Sequence, residues 1–386
     1  NCVMKKEMYS SEVTLLRDTF RRLLRRHAKT NIVKLIDKTH PSDLALIFRY
    51  FNDAEQDSIF SNMLASEETV KFLYELDESI TTRLIENETP ERLAEIMEQA
   101  SSNEQVFLMG LVSDQFATSV IDLLQAEEQE ELEEMMAYPE DSAGILMYTD
   151  VFTLHEETKA REAIYALQDQ EDAEMVFYLY TLDDDGSLTG VISLRDLVTT
   201  PGETMLKDIM SKNIQAVRPE TDQEEVARIV SQYNFLAVPV VDADEKLLGI
   251  VTVDSVVDVI REEATEDFLQ LAGAGKDREI LLKSSWENAR IRLPWLFASW
   301  VGGILAAFII GIFNNILESA IALAAFIPVI IGMGGNVGTQ SSTIIVRGLA
   351  TGRVSFENSI KVLFKEVRVG LILGTLYGIL LGIFAI

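Results

Sequence analysis

Apolar side chains recur along this chain at three different periods, and each period predicts a different kind of element. In the last quarter of the chain they are continuous. Residues 294–313, 319–346 and 369–386 are runs of 20, 28 and 18 residues without a charged side chain. A helix rises about 1.5 Å per residue, so roughly 20 apolar residues cross the hydrocarbon of a bilayer. The runs predict three membrane-spanning helices, at about 294–313, 319–346 and 367–386. Arg290 and Arg292 precede the first run, and residues 314–318 contain neither Lys nor Arg. Arg347, Arg353, Lys361, Lys365 and Arg368 separate the second run from the third. Basic flanks stay on the cytoplasmic side. The long region before residue 290 is therefore expected in the cytosol, with residues 314–318 outside. The third run reaches Ile386, and an odd span count leads us to expect that the functional protein continues past it.

From residue 10 to residue 136 the apolar positions return every three or four residues, the period of short amphipathic helices. Pro41-Ser-Asp-Leu-Ala-Leu-Ile-Phe recurs 49 residues later as Pro90-Glu-Arg-Leu-Ala-Glu-Ile-Met. Glu55-Gln56 likewise recurs as Glu104-Gln105, and Ile59-Phe60 as Leu108-Met109. Proline opens a helix well, and stacked helix pairs of this kind build a small superhelical domain whose apolar stripes form its core. Beyond residue 137 the period shortens to that of strands. Residues 175–180 and Ala237–Val241 are short β-rich runs, each followed by a turn, a second strand and a helix. Gly186-Ser-Leu-Thr-Gly-Val-Ile-Ser-Leu-Arg-Asp-Leu-Val aligns, 59 residues on, with Glu245-Lys-Leu-Leu-Gly-Ile-Val-Thr-Val-Asp-Ser-Val-Val. Helices at 159–167 and 223–232 are expected before the two strand pairs.

Charge changes this picture. Acidic residues outnumber basic ones 62 to 33, but unevenly: residues 1–50 carry a net +6, residues 51–267 a net −39, and the remainder a net +4. A block that negative repels nucleic-acid phosphate and attracts cations. Cys2 is the one cysteine, and His27, His40 and His155 lack metal-site spacing. Any bound metal must then be held by oxygen, which suits Mg²⁺, Ca²⁺ or Mn²⁺. Asp222, Glu224 and Glu225 start one helix. Asp254 and Asp258 stand four apart on another, which Glu262, Glu263, Glu266 and Asp267 continue. Carboxylates at that spacing share a face and repel, and a dication bridging them to a second acidic surface removes the repulsion. Capping of a helix start explains Asp222 equally well.

The duplicated strand–turn–strand–helix unit at about 138–262 resembles a tandem pair of CBS domains, which often bind adenosine nucleotides between their repeats. The family's ribose-contacting pattern matches Gly190, Ser193 and Asp196, with Tyr178 and Arg195 placed to stack on a base and to neutralise phosphate. The second repeat keeps Gly249 and Thr252 but has Ser255 in place of the acid.

The strand–helix pair, the acidic helices and one membrane string together resemble the MgtE-type magnesium transporters. The string is Pro328-Val-Ile-Ile-Gly-Met-Gly-Gly-Asn-Val-Gly-Thr-Gln-Ser-Ser, followed by Arg347-Gly-Leu-Ala-Thr. Its four glycines and one proline weaken a helix, and in lipid loosened backbone survives only where it packs on protein or lines a wet cavity. Close helix–helix packing through small residues accounts for the composition as well. The resemblance favours a pore, lined by Gly334, Gly335, Asn336, Thr339 and Gln340, whose neutral oxygens would hold the water shell of Mg²⁺. Met333, Val337 and Thr339 stand where the family pattern has Thr, Thr and Asn. The resemblance also implies a connecting "plug" helix at about 264–290, opening on Ala264-Thr-Glu-Asp-Phe. It puts Asp222, Glu224, Asp258, Glu263, Glu266 and Asp267 at regulatory Mg²⁺ positions, while Asn234 and Ser255 replace acids.

The expected fold is multidomain: an α-helical superhelical N domain (1–136), an α+β CBS pair (137–200 and 201–263), the plug helix (264–290) and an α-helical transmembrane bundle (291–386). The implied function is a homodimeric, Mg²⁺-selective channel of the cell (inner) membrane, closed by cytosolic Mg²⁺, with ATP or another adenosine nucleotide as a further ligand. The implied partners are a second copy, Mg²⁺ and the lipid bilayer, and no nucleic acid. Two rivals stay open: a non-conducting, membrane-tethered CBS nucleotide sensor, and a channel for Mn²⁺ or Co²⁺. No nucleophile–base pair, phosphate loop or hydrolase motif points to an enzyme.

Overall fold

The computed structural model describes residues 2–64, 66, 68–169, 177–275, 280, 283–313, 325–350, 354 and 359–384. They divide into two compact units, Asn1–Val257 and Asp258–Ile386.

The first unit opens with ten helices: α1 (Cys2–Arg25), α2 (Lys29–Ile36), α3 (Pro41–Phe48), α4 (Asp53–Met63), α5 (Thr69–Tyr74), α6 (Glu78–Glu86), α7 (Pro90–Met97), α8 (Ser102–Gly110), α9 (Asp114–Ile121) and α10 (Ala126–Met136). The 49-residue repeat survives at the level of single hydrogen bonds. Proline opens α3 and α7, behind the caps His40 and Thr89. Asn52 and Glu55 close a capping box at α4, and Ser101 and Glu104 close the matching one at α8. The Gln56 amide donates to the Phe48 carbonyl at 3.0 Å, and the Gln105 amide donates to the equivalent Met97 carbonyl at 2.9 Å. Each pair is thereby tied across its turn by the same side-chain amide, buried at Gln56 and half-buried at Gln105, a donor that would cost free energy if left unsatisfied. The apolar stripes are core: Phe48 meets Phe72 edge-on at 5.0 Å, and Leu44, Ile47, Ile59 and Leu93 are fully buried.

After α11 (Ala143–Leu146) come β1 (Thr153–His155), α12 (Ala160–Asp169), β2 (Tyr178–Leu182), β3 (Leu188–Ser193) and α13 (Leu194–Thr199). The second repeat is α14 (Gln223–Tyr233), β4 (Ala237–Val241), β5 (Leu247–Thr252) and α15 (Val253–Leu271). Of the strand expected at 175–180, residues 175 and 176 lie outside the described residues. β1 runs parallel to β2, β2 pairs antiparallel with β3, and β4 pairs antiparallel with β5. The two hairpins share one turn. Asp183 accepts from the Asp185 and Ser187 backbone N–H groups, and Asp242 accepts from those of Asp244 and Lys246. Gly186 and its counterpart Glu245 both adopt positive φ, 82° and 63°. The repeats meet where the Leu188 N–H donates to the Glu245 carbonyl at 3.0 Å and Tyr180 packs against Ala237 and Ile250.

Gly249 is held by a close approach. Tyr148 bridges to Ile250, and a Cβ at 249 would stand 2.5 Å from the Tyr148 carbonyl oxygen. Because that neighbour is backbone, Gly249→Ala is expected to destabilise this unit by about 1–3 kcal/mol, read as a lower urea midpoint with unchanged slope.

In the second unit α15 stops at Leu271, short of the connecting helix expected over 264–290. Gly273 and Gly275 follow at φ 68° and 85°, a left-handed backbone that no helix continues through. The segment is anchored, for a Cβ at Gly273 would meet the Trp295 ring at 2.4 Å. A fresh N-cap, Ser284 with Glu287 in a capping box, then starts α16 (Ser285–Ile312) nine residues before the first uncharged run. α17 (Ile327–Ala350) and α18 (Ser359–Phe384) complete the unit.

Among the described residues two helices are long and apolar enough to cross a membrane, α16 and residues 360–384 of α18. α17 does not meet that measure, because Gly, Asn, Thr, Gln and Ser dilute its apolar residues, and 319–324 of the expected second span lie outside the described residues. None of the α16 side chains is buried, and Trp295, Phe308 and Ile312 are more than 60% exposed. Apolar surface on that scale needs lipid or protein to cover it.

Candidate functional site

The first CBS repeat brings its sequence-predicted residues to one edge. Tyr178 and Ser193 are cross-strand partners at the ends of β2 and β3. Ser193 caps α13, accepting from the Asp196 N–H at 3.1 Å and donating to the Asp196 carboxylate at 2.7 Å. Ser193 and Asp196 thus form one acceptor-rich corner, with Arg195 exposed beside it and Tyr178 packed on the Tyr180–Ala237–Ile250 cluster. Hydroxyl and carboxylate at that corner can both address a sugar diol. The second repeat differs for a physical reason. Ser255 is buried with its hydroxyl 3.4 Å from that of Thr252, and a carboxylate there would be a buried charge. The acidity of the nearby Tyr148 hydroxyl is pushed down chiefly by burial and then by the Asp254 charge.

The candidate regulatory acids fall on two helices. Asp222 is the N-cap of α14, accepting from the Glu224 N–H at 2.8 Å, so the capping explanation holds for it. Asp258, Glu263, Glu266 and Asp267 lie along α15, where Asp258 accepts from Arg261 at 3.4 Å and Glu266 from Gln270 at 2.8 Å. Burial, reinforced by the neighbouring Glu266, pushes the Asp267 carboxyl above its ordinary range. Such a carboxylate is relieved by a proton or by a cation. Among the described residues no three Asp, Glu, His or Cys side chains converge enough to hold a metal ion. The acids are strung along helix faces, and a cation binding them must bridge one face to another element. Asn234 has a backbone duty: it ends α14 in the left-handed conformation, φ 55° and ψ 42°, which Asn tolerates well. Glu104 is occupied by its capping box.

A cavity of about 340 Å³ lies where α10 faces the second repeat. Glu127, Glu130, Glu131 and Glu134 line one side of it and Met147 and Leu248 the other. Glu131 accepts from Ser102 at 2.9 Å and from Thr149. In the sequence these glutamates are part of a long acidic stretch, and only the fold sets α10 against the linker carrying Met147 and Thr149.

α17 has two distinct faces. Met333, Val337, Ser341 and Ile345, four apart, are its half-buried stripe, and Ser341 donates to Glu366 of α18 at 2.8 Å. Asn336, Thr339, Gln340 and Thr343 follow the i, i+3, i+4, i+7 spacing of a second stripe, and all four are exposed. The Thr339 hydroxyl donates to the Gly335 carbonyl at 3.1 Å and the Thr343 hydroxyl to the Thr339 carbonyl at 2.9 Å. With their protons turned inward, these hydroxyls offer lone pairs outward, which is what a cation or its water shell needs. Thr343 was not among the predicted lining residues, though the spacing from Asn336 could have found it. Met333 and Val337, which depart from the family pattern, lie on the half-buried stripe, where apolar side chains pack.

The chain matches the family model "Divalent cation transporter" at residues 327–386, the "MgtE intracellular N domain" at 39–141 and the "CBS domain" at 143–202 and 206–262. It is 30% identical to the magnesium transporter MgtE of Bacillus subtilis over 91% of this chain and 78% of that protein. The chain belongs to the MgtE family of magnesium transporters. The MgtE proteins of Enterococcus faecalis and Thermus thermophilus are 39% and 40% identical over 66% and 67% of this chain. The chain spans 56% and 58% of their length.

Two solved structures share the fold of the MgtE N domain and CBS pair. The soluble part of a magnesium transporter is 28% identical with a TM-score of 0.59, covering 65% of this chain and 99% of that one. The cytosolic domain of the Mg²⁺ channel MgtE in complex with ATP is 30% identical with a TM-score of 0.60, covering 63% and 99%. MgtE proteins are membrane transporters and not enzymes, which accords with the two apolar helices of the second unit.

Proposed function

We propose that the protein carries Mg²⁺ across the cell membrane as a homodimeric channel, and that cytosolic Mg²⁺ holds it closed. The observation that carries the reading is the polar stripe Asn336–Thr339–Gln340–Thr343 on α17, in a chain of a magnesium-transporter family. Together with Gly334 and Gly335, this face would line the pathway and hold the ion through its water shell, since Mg²⁺ dehydrates reluctantly. Neutral oxygens admit a hydrated dication without trapping it.

Gating would follow from charge. Residues 51–267 carry a net −39, and at low Mg²⁺ their repulsion favours separation of the N domain, the CBS pair and the segment leading to α16. Mg²⁺ bridging Asp222, Glu224, Asp258, Glu263, Glu266 and Asp267 to facing acids would cancel that repulsion and close the pore. The N-terminal region would then be cytoplasmic and the chain multi-pass, with spans at the three apolar stretches. ATP or another adenosine nucleotide would sit at the Tyr178–Ser193–Arg195–Asp196 corner as a modulator. The complex of a related cytosolic domain with ATP supports this last point.

The test is uptake of Mg²⁺ into vesicles holding the purified full-length protein, followed with an internal indicator. Uptake well above that of empty vesicles, exceeding uptake of Mn²⁺ and Co²⁺, is expected. ATP binding without ion flux would instead favour the sensor reading.

A further inference from the structure

The stripe that would line the pathway needs a definite rotation of α17 about its own axis, and one polar contact is placed to set it. Met333, Val337 and Ile345 of α17 are half-buried, as are Val362, Gly370 and Leu373 of α18. Apolar packing of this kind is non-directional, and neighbouring rotations bury similar area. Within these stripes sit Ser341 and Glu366, joined at 2.8 Å. Lys361, Lys365 and Arg368 are exposed, and at roughly 100° per residue each lies 100° or more around α18 from Glu366. A half-buried carboxylate among apolar neighbours is costly unless it accepts a hydrogen bond. In the observed rotation of α17 it is Ser341 that satisfies it.

We infer that Glu366 is a positioning residue: by accepting from the Ser341 hydroxyl it fixes the rotation of α17 and so keeps the Asn336–Thr339–Gln340–Thr343 face turned away from α18. Ser341 lies roughly 140° around the helix from Asn336, so anchoring the one aims the other. Losing the anchor lets α17 turn, which buries part of the polar stripe and exposes Val337. The inference rests on α17 being the pathway helix, but its test reads rotation directly.

The experiment uses the full-length protein in vesicles, with Cys2→Ser removing the one cysteine of this sequence and a single thiol introduced by Asn336→Cys or by Val337→Cys. The ratio of their labelling rates with a membrane-permeant maleimide reports the rotation. Labelling by a charged, impermeant reagent reports whether position 336 meets water. With Glu366 present, the thiol at 336 should react faster than that at 337. Glu366→Ala and Ser341→Ala should each lower the ratio by about ten-fold, the scale set by one charge-assisted hydrogen bond. Glu366→Gln should retain most of it, because an amide oxygen still accepts from Ser341. This separates positioning from a general failure to fold without the charge. A permeant-reagent ratio that stays fixed in Glu366→Ala and Ser341→Ala overturns the inference. A thiol at 336 that the charged reagent never reaches counts against the pathway reading itself.

Discussion

Replacing Asp258, Glu263 and Asp267 by Asn, Gln and Asn should leave Mg²⁺ conductance running at millimolar cytosolic Mg²⁺, with the inhibitory concentration raised at least ten-fold. All three lie on α15, the helix that carries the chain from the last CBS strand toward the apolar helices. A charged ligand contributes about 1.5–3 kcal/mol, and about 1.4 kcal/mol is a ten-fold change in binding, so even one lost bridge suffices. Asp267 sharpens the expectation. Burial and Glu266 already push its carboxyl up, so neutralising it relieves α15 and mimics the bound cation at that position. Asp267→Asn alone should therefore raise the thermal midpoint measured in chelator, and the gain should shrink when Mg²⁺ is added. Inhibition curves are read from patches or vesicles with internal Mg²⁺ clamped. If the triple variant shuts at the same internal concentration as the parent, α15 is not where Mg²⁺ is read.

The second large effect belongs to α17. If Asn336 lines the pathway as proposed, Asn336→Leu should cut Mg²⁺ uptake by about 100-fold, the scale of two hydrogen bonds to a hydrated ion at roughly 1.4 kcal/mol each. Ile344→Leu, an apolar exchange on the same helix, should change uptake less than three-fold. Gln340→Leu should fall between them. The comparison separates a pathway from a packing face: if small-residue packing were the reason for the motif, Asn336→Leu would be tolerated as an exposed apolar substitution.

Much of the fold could be read from periodicity, because the same local chemistry occurs twice. Pro41 and Pro90 announced two helices, and the Gln56 and Gln105 amides complete equivalent turns. Asp183 and Asp242 head identical turns in the two hairpins. Contacts between distant segments were not readable. The family resemblance implies a connecting helix running on to about residue 290, yet Gly273 and Gly275 take up left-handed backbone and α15 ends at Leu271. Nothing in the sequence sets Gly273 apart from other glycines; the Trp295 ring packed against it does.

The site divides in the same way. Ser193 and Asp196 come from the resemblance to CBS domains, and their hydrogen bond follows from the turn that joins β3 to α13. The double duty of Asp222 as cap and candidate ligand was also foreseeable, since an acid at a helix start commonly caps it. Glu366 was passed over as one charge in a basic flank, because its partner Ser341 lies 25 positions away on another helix. The acidic wall of α10 was hidden by the abundance of Glu around it.

The most direct test is Mg²⁺ uptake by the full-length protein in vesicles, with internal free Mg²⁺ held first near zero by chelator and then at several millimolar. Rapid uptake in the first condition and its suppression in the second is the expected result. Equal uptake in both, or none in either, would contradict it.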